Sequence, residues 1–388
     1  MLNCIDWQLK LCLPLELKKS NCKKFTVSEN QPKTVLVYVT QLMSRGGIES
    51  HILEFISELS EEGVIIDLLV PNFQMNLDLE HKLKKSCRRL VLNRTTSRSL
   101  YNHLWLIKAL LRTRDTNYDA LYTNGQGSSI YICSKLSKYT KWVHHHHTAG
   151  DLADQRTWGT YYVKALKCSD TLIACSKTNA RAMSSSLNRA VDSIPCFSRD
   201  LGPCSVRTKE EEGYHIHLGY FGRLIKEKGI ELISKMSLDK DCEHIRFHIW
   251  GADPQYSEIY FEDFPNLDYH GAFSGVVELK RAVCALDAFI LLSTHPEGLP
   301  ISLLEVMSAG LPWLATNRGG IPDIAQNKDE TVVIPFDLNY SGYKAAVLNF
   351  VENLQRGKAN RQEQLNLYAS KFSAAVIRKS WYSCFFNL

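Results

Sequence analysis

Residues 295–324 read HPEGLPISLLEVMSAGLPWLATNRGGIPDI and contain two glutamates, Glu297 and Glu305, with seven residues between them. Pro300 suits the first turn of a helix, where its missing N–H would be unpaired anyway, and the Gly-Leu-Pro sequence suits its end. The pattern predicts a helix over residues 300–309. The first glutamate then lies in the loop before the helix and the second lies more than one turn inside it, so the two carboxylates have different roles.

A helix N-terminus that follows a glycine-containing loop presents unpaired N–H groups and a positive dipole end, which suits a phosphate group. The stretch therefore indicates a nucleotide site. An ordinary buried βα unit with a surface loop explains this stretch equally well when it is taken alone.

Apolar runs separated by helical patterns recur along the chain, which is typical of parallel sheets covered on both faces. In the first half the runs are residues 34–40, 64–71, 88–93, 119–124, 141–146, 170–176 and 191–196. In the second half they are residues 215–222, 245–251, 267–271, 287–293, 312–316 and 331–336. The sequence predicts an α/β protein with two Rossmann-like, doubly wound domains.

Length and composition set the predicted division of the chain. The 388 residues are about twice a typical domain. We expect an N-terminal extension (1–32), a first Rossmann-like domain (33–196), a linker (197–213), a second Rossmann-like domain (214–370) and a C-terminal helix (371–388) that is a candidate to cross back onto the first domain. Within the extension, leucine at every odd position from Leu9 to Leu17 predicts a short edge strand.

The chain has twelve cysteines but no C-x-x-C pair, so neither a zinc ribbon nor a thioredoxin-type site is indicated, and we expect a reducing compartment. No apolar run approaches the length that spans a bilayer, and the N-terminus lacks the layout of a signal peptide. These features predict a cytoplasmic protein whose membrane contact, if any, is peripheral.

The segment from Lys82 to Arg114 has ten basic residues and no acidic one, although the net charge of the chain is only +5. Within it, Leu100, Leu104, Ile107 and Leu111 recur at helical spacing. A cationic amphipathic helix can rest on an anionic membrane surface. The alternative is an ordinary surface helix whose apolar side packs on the sheet.

Ligands bind open parallel sheets at the carboxyl ends of the strands, which directs attention to the residues that follow each apolar run. Gly46 and Gly47 follow the first run and would let the backbone approach a ligand. In the second half, the loop GRLIKEKG places Arg223 and Lys228 between two glycines. Such a loop can hold two cations against a diphosphate, although a solvated charged loop has the same composition.

Four histidines, His144–His147, end another apolar run. Alternate residues of a strand share a face, so His145 and His147 should point one way and the other two the opposite way. The readings left open are a histidine that faces the substrate, a structural role, and a metal site, for which no third ligand stands at a telling spacing.

Taken together, these residues resemble the GT-B glycosyltransferases, and within them the retaining enzymes of glycosyltransferase family 4. Glu297 and Glu305 match the E-x7-E signature of that family, Gly46-Gly47 matches its glycine pair, and the segment from Gly222 to Gly229 matches its G-R-x-x-x-x-K-G loop. The resemblance implies two Rossmann-like domains that face a central cleft, with a nucleotide-sugar held mainly by the second.

The resemblance also implies roles for individual residues. Arg223 and Lys228 would bind the diphosphate with help from the N–H groups of Gly46 and Gly47, and Glu305 would accept hydrogen bonds from the ribose. The other donor-side positions are Gly251 and Phe273 near the base, and Gly298 and Leu299 beside the signature. Glu297 would face the sugar, and one of the histidines His144–His147 would contact it; which one stays open, with His145 and His147 favoured.

In such a mechanism the cations stabilise the negative charge that grows on the departing diphosphate, and the leaving phosphate helps to deprotonate the acceptor. No metal and no resident cofactor is expected, and a UDP- or GDP-sugar is the expected co-substrate. The acceptor would be a glycan or a lipid-linked glycan in surface polysaccharide or glycolipid synthesis at the inner membrane face. No nucleic-acid partner is expected.

Two other functions are compatible with the predicted fold. A nucleotide-sugar epimerase also uses two such domains, but it should not need the two cations together with the two glutamates. A catalytically silent binding protein of the same fold is disfavoured by the intact set of motifs, since fold alone does not determine function.

Overall fold

The computed structural model describes residues 32–43, 46–75, 77–94, 99–205, 215–273, 275–325 and 329–386. Within the chain, Lys33–Leu388 form one compact unit. The edge strand predicted between Leu9 and Leu17 lies outside the described residues, as does the part of the linker from 206 to 213.

The first half of the chain forms a parallel sheet in which every predicted apolar run supplies a strand. The strands of this half are β1 (Thr34–Val39), β2 (Leu42–Met43), β3 (Ile65–Val70), β4 (Phe73–Gln74), β5 (Arg89–Leu92), β6 (Tyr118–Asn124), β7 (Tyr139–His146), β8 (Thr171–Ala174) and β9 (Asp192–Ser193). Seven of them form one sheet in the order β5-β3-β1-β6-β7-β8-β9, while β2 and β4 pair separately and were not predicted. The central strands are rich in Val, Ile and Leu because helices cover both faces.

The helices of the first half are α1 (Gly47–Glu61), α2 (Leu77–Ser86), α3 (Ser99–Leu111), α4 (Ser128–Leu136), α5 (Leu152–Gln155), α6 (Thr160–Cys168) and α7 (Lys177–Leu187). In α1, Ile52, Phe55, Ile56 and Leu59 are buried at the spacing of one helical face. These residues pack into a core that also includes the side chains of β1 and β3.

The second half repeats the plan with six parallel strands. They are β10 (Ile216–Phe221), β11 (Ile245–Trp250), β12 (Leu267–Tyr269), β13 (Ala288–Leu291), β14 (Trp313–Thr316) and β15 (Thr331–Ile334), in the order β12-β11-β10-β13-β14-β15. The helices between them are α8 (Ile230–Ser237), α9 (Glu258–Phe261), α10 (Val276–Cys284), α11 (Ile301–Ser308) and α12 (Ile321–Ile324). The predicted α/β class with two Rossmann-like sheets is therefore confirmed.

Three helices complete the chain: α13 (Tyr340–Gln355), α14 (Arg361–Lys371) and α15 (Ala374–Phe386). Helix α15 returns to the first sheet, where Trp381 and Phe385 are buried in the same core as α1. Arg378 of this helix pairs with Glu58 of α1 at 2.9 Å. The C-terminus thus ties the second half of the chain to the first.

A disulfide links Cys204, which follows β9 at some distance, to Cys284 at the end of α10. Disulfides are uncommon in the reducing compartment that the sequence predicts. The spacing of the two residues, 80 positions apart, gives no sequence signal of their pairing.

Candidate active site

The quoted stretch folds around Glu297. Helix α11 begins at Ile301 after Pro300, one residue later than predicted. The carboxylate of Glu297 is almost fully buried, accepts a hydrogen bond from Ser293 Oγ at 2.6 Å and forms an ion pair with Lys228 Nζ. The structure therefore brings together a glutamate and a lysine to which the sequence assigned separate roles.

The loop that carries Lys228 lies against the end of β13. It forms a short 3₁₀ turn that ends at Gly229, whose φ of +81° belongs to the left-handed region. A Cβ at this position would lie 2.6 Å from the carbonyl oxygen of Leu292, so only glycine fits. The backbone N–H of Thr294 donates to Glu227 O at 2.7 Å and joins the two loops.

Arg223 extends from the end of β10 and is exposed. Within the described part of the chain, its guanidinium has no hydrogen-bond or ion-pair partner. Its neighbour Gly222 touches Gly251, where a Cβ would lie 2.3 Å from the carbonyl oxygen of Gly222. The ends of β10 and β11 therefore adjoin, and a cation is left available beside them.

The pKa of His295 reflects the charged groups that lie near it. Burial lowers the pKa of this imidazole, the charge of Glu297 opposes the shift, and the charges of Lys228 and Arg223 lower the pKa further. Both predicted cations and the first signature glutamate therefore lie close enough to this imidazole to act on its charge. No sequence motif assigns His295 a role, although it lies two residues before Glu297.

The glycine pair of the first half faces this group. A Cβ on Gly47 would touch the side chain of Ile301 at 3.5 Å, so the N-terminus of α1 meets that of α11. Glu49 lies beside Gly46 and accepts a hydrogen bond from the backbone of Met43 at 3.0 Å. Burial raises the pKa of Glu49, and the Arg223 charge is among the groups that oppose this shift.

The remaining signature glycines allow backbones to touch. A Cβ on Gly298 would lie 1.9 Å from His147 O, and one on Gly319 would lie 1.7 Å from Glu297 O. The N–H of Gly320 donates to Gly298 O at 3.0 Å. These contacts fasten the donor-side loop both to the second sheet and to the end of β7, and no residue with a side chain fits there.

Glu305, the second signature glutamate, is buried and pairs with Arg199 at 2.5 Å. Burial raises the pKa of this carboxyl, while the arginine opposes the shift. Arg199 also lies over the ring of Phe273, 5.6 Å from its centroid. Sequence reasoning missed Arg199 because a single arginine in an irregular segment forms no motif. Leu299, also predicted for this site, is part of the hydrophobic core.

The histidine run alternates as predicted. His144 and His146 both bond the hydroxyl of Tyr162, at 3.0 and 2.8 Å. On the other face, the rings of His145 and His147 lie 3.9 Å apart.

The surroundings of His145 and His147 differ from the prediction. His145 is fully buried, and its Nδ1 lies 2.9 Å from the hydroxyl of Tyr122. His147 is partly exposed, but its Nε2 contacts Asn124 and its Nδ1 contacts Cys196. Neither imidazole presents a free nitrogen to the cleft, so the geometry does not support their predicted contact with a donor sugar.

Two Rossmann-like parallel sheets that meet at their carboxyl ends, with charged loops on the second, are the arrangement of the GT-B fold. Models of two glycosyltransferase families match the two halves of the chain, in agreement with this fold. The model described as "Glycosyltransferase Family 4" matches residues 45–197, and the model described as "Glycosyl transferases group 1" matches residues 215–353. The chain is therefore a GT-B glycosyltransferase, with the family 4 domain in its first half and the group 1 domain in its second.

Individual proteins are similar over most of their length. The 2-deoxystreptamine N-acetyl-D-glucosaminyltransferase of Niallia circulans is 24% identical over 381 residues, which cover 84% of this chain and 94% of that protein. The structure of Anabaena HepE with UDP-glucose superposes with a TM-score of 0.70 at 16% identity, covering 91% of this chain and 100% of that one. A Staphylococcus aureus TarM variant bound to UDP and α-GlcNAc-glycerol gives a TM-score of 0.70 at 12% identity, with the same coverage.

Proposed function

We propose that this protein is a retaining glycosyltransferase that uses a UDP- or GDP-sugar. Its acceptor would be a glycan or a lipid-linked glycan in surface polysaccharide or glycolipid synthesis. The observation that carries the proposal is the ion pair between Lys228 and the buried Glu297, with the exposed Arg223 in the same loop, at the carboxyl ends of β10 and β13. Support also comes from HepE and TarM, which share the fold and bind UDP-glucose and UDP, respectively.

The two cations provide the electrostatic part of the reaction. As the bond between sugar and phosphate breaks, negative charge grows on the diphosphate, and fixed positive charges nearby lower the barrier. Arg223 is available to form a bidentate contact with phosphate oxygens. The N–H groups at the start of α1, from Gly46 and Gly47, add a helix N-terminus on the opposite wall. Transfer by this arrangement requires no metal ion.

The two glutamates orient the donor. Glu297 is paired with Lys228. When the lysine turns to the phosphate, the carboxylate of Glu297 accepts hydrogen bonds from hydroxyl groups of the sugar. Glu305 accepts hydrogen bonds from the ribose, and Arg199 favours the ionised form of this carboxyl that such bonds require. Gly251 and Phe273 stand near the base, and the backbone of Gly298 closes the loop beside the sugar.

A thermal-shift screen against UDP, GDP, ADP and their sugars tests the donor class. Binding by a nucleotide diphosphate should raise Tm, and the rise should grow with the logarithm of its concentration above Kd. Product anomers identified by NMR should then keep the configuration of the donor. Inversion would contradict the retaining mechanism, and the absence of any stabilisation by these nucleotides would contradict the donor assignment.

The membrane part of the proposal concerns one face of α3. The side chains of Tyr101, Leu104, Ile107 and Leu111 are 63, 56, 42 and 57% exposed. The sheet is instead covered by Leu106, Ala109 and Leu110. The alternative, in which the face that contains Leu104 packs on the sheet, is therefore wrong. Across the described residues, no helix combines the length and apolar character needed to span a bilayer.

We infer that this exposed face, together with Lys108 and Arg112, rests on an anionic membrane surface. Co-sedimentation with vesicles that contain phosphatidylserine or phosphatidylglycerol should show binding that weakens as salt rises. The Leu104→Gln/Ile107→Gln variant should lose that binding. Leu238→Gln, which changes an equally exposed leucine of the second half, should not. Equal sedimentation of the wild type and both variants would contradict the proposed membrane contact.

A further inference from the structure

Four side chains with nitrogen or sulfur donors converge at the carboxyl edge of the first sheet. His145 and His147 come from the end of β7, Cys175 directly follows β8, and Cys196 lies just beyond β9. One donor atom of each lies within 4.8 Å of the others. Parallel pairing of β7, β8 and β9 produces this cluster from residues that are far apart in the chain.

The distances fit the edges of a metal tetrahedron. Sγ of Cys175 lies 3.5 Å from His145 Nε2 and 3.6 Å from His147 Nδ1, and Sγ of Cys196 lies 3.6 Å from His147 Nδ1. Zinc bonds of about 2.0–2.1 Å to nitrogen and about 2.3 Å to sulfur place the two atoms about 3.5 Å apart at tetrahedral angles. The sulfurs, now 3.4 Å apart, would separate to about 3.8 Å on binding.

The opposite ring nitrogens are already held by neighbouring groups. Nδ1 of His145 lies 2.9 Å from the Tyr122 hydroxyl, and Nε2 of His147 contacts the amide of Asn124. These contacts leave Nε2 of His145 and Nδ1 of His147 directed at the thiols. Such partners orient the ligand histidines of metal sites.

Asn124 can supply the hydrogen-bond acceptor that His147 needs when it binds a metal. Its Oδ1 is buried and has no hydrogen-bond partner. Rotation of the amide would let this oxygen accept the Nε2–H that His147 carries when its Nδ1 binds a metal. Asn124 would thus form the outer hydrogen bond that a metal-bound His147 requires.

We propose that His145, His147, Cys175 and Cys196 bind one zinc ion in a closed tetrahedral site. Two thiolates and two imidazoles suit zinc better than the oxygen-seeking Mg²⁺ or Ca²⁺. The two thiolates neutralise the charge of the ion, which suits a buried position. Because the protein fills all four positions, the ion is structural and takes no part in sugar transfer.

The proposed ion acts on the active site through His147. The carbonyl oxygen of this residue is the atom that a Cβ on Gly298 would strike. Asn179 at the start of α7 donates to the carbonyl oxygen of Gly298 at 2.8 Å. Zinc would therefore fix the backbone on which the donor-side loop rests, and its loss should raise the KM for the donor more than it lowers kcat.

Metal analysis of the full-length chain, produced without a histidine tag and kept with a reductant, tests the proposal. About one zinc per chain should co-purify with the protein, as in other closed Cys2His2 sites. Cys175→Ser and Cys196→Ser should lose it. Cys133→Ser, which changes another buried thiol of the first half, in helix α4, should retain it.

X-ray absorption at the zinc edge of the wild-type protein keeps the test independent of whether the serine variants fold. Two sulfur and two nitrogen neighbours are expected. Protein without zinc, zinc bound only through oxygen and nitrogen, or a Cys175–Cys196 disulfide under these conditions would overturn the proposal. None of these readouts depends on a donor or an acceptor sugar, so they stand apart from the proposed transfer reaction.

Discussion

The carboxyl ends of the two sheets have the same topology and opposite chemistry. At the first sheet, His145, His147, Cys175 and Cys196 form a group without a carboxylate or a permanent cation, which we call the uncharged end. At the second sheet, the charged side chains of Arg223, Lys228 and Glu297 form what we call the charged end. A Rossmann-like sheet therefore provides a place for chemistry without deciding which chemistry, and the loop residues make that decision.

Backbone contacts connect the two ends. Gly298 of the charged loop touches the backbone of His147, and Gly47 of the first half touches Ile301. The uncharged end can thus act as a rigid support for the charged one. Substitutions at each end should therefore have different effects on turnover and on stability.

Removal of either cation from the second sheet should affect turnover most. Lys228→Ala and Arg223→Ala should each lower kcat by about 100- to 1,000-fold, the usual loss when one stabilising group for a developing anion is removed. Release of UDP or GDP from the donor measures this. Lys226→Ala, in the same turn but paired with Glu231, should remain within about twofold of the wild type.

Stability should distinguish these two cations. Lys228→Ala leaves the buried carboxylate of Glu297 without its cation, so Tm should fall. Arg223→Ala removes an exposed side chain and should leave Tm unchanged. Near-normal transfer in both variants would contradict the assignment of the diphosphate to these residues.

The pair between Arg199 and Glu305 should have the next largest effect. Arg199→Leu leaves a buried carboxylate unpaired and should lower the free energy of unfolding by about 3 kcal/mol, measured by urea denaturation. Adding Glu305→Leu should recover most of this loss. A double variant whose loss equals the sum of the two single losses would show that the pair contributes no coupling.

Gly319 tests how tightly the charged loop must close. Its φ is +52°, and a Cβ would lie 1.7 Å from Glu297 O. Gly319→Ala should therefore destabilise the fold by about 1–3 kcal/mol and reduce donor binding. Gly159→Ala, at a position with open space around it, provides the matched control for urea denaturation. Equal stability of the two variants would refute the steric argument.

His51 of α1, whose ring centroid lies 5.0 Å from those of His145 and His147, should make the protein sensitive to acid. Burial lowers the pKa of His51 from 6.5 to about 3, so the unfolded chain binds a proton that the folded chain refuses. The stability due to the neutral ring is complete above pH 6.5 and is lost as pH falls toward 3. At pH 5.5 the loss should be about 1.4 kcal/mol for this histidine.

Urea denaturation at pH 7.5 and 5.5 measures this dependence, and His51→Gln should reduce the difference between the two pH values by that amount. The same difference in both proteins would contradict a neutral, buried His51.

Local patterns predicted much of the charged end and little of the uncharged one. Periodicity located the strands, and glycine spacing located the loop that carries Arg223 and Lys228, because these signals are local in sequence. The partners of the histidine run, Cys175 and Cys196, come from other strands, up to 49 residues from His147. Only strand order brings such residues together, and a single sequence does not reveal it.

The orientation of helix α3 and the partner of Glu305 were not predicted for the same reason, because both depend on tertiary structure. Helix α3 has two apolar stripes, and periodicity does not decide which one meets the sheet. The stripe that contains Leu104 faces outward, and the stripe that contains Leu106 packs inward. The pairing of Arg199 with Glu305 likewise depends on the path of the chain between the two halves.

Hydrogen exchange with and without UDP tests most directly the claim that the charged end binds the donor. UDP should protect the amides of residues 222–229 and 297–301, with additional protection at 46–50. The amides of residues 143–146 and 172–175, at the uncharged end, should exchange at an unchanged rate. Protection confined to the first sheet, with residues 222–229 unaffected, would contradict the account.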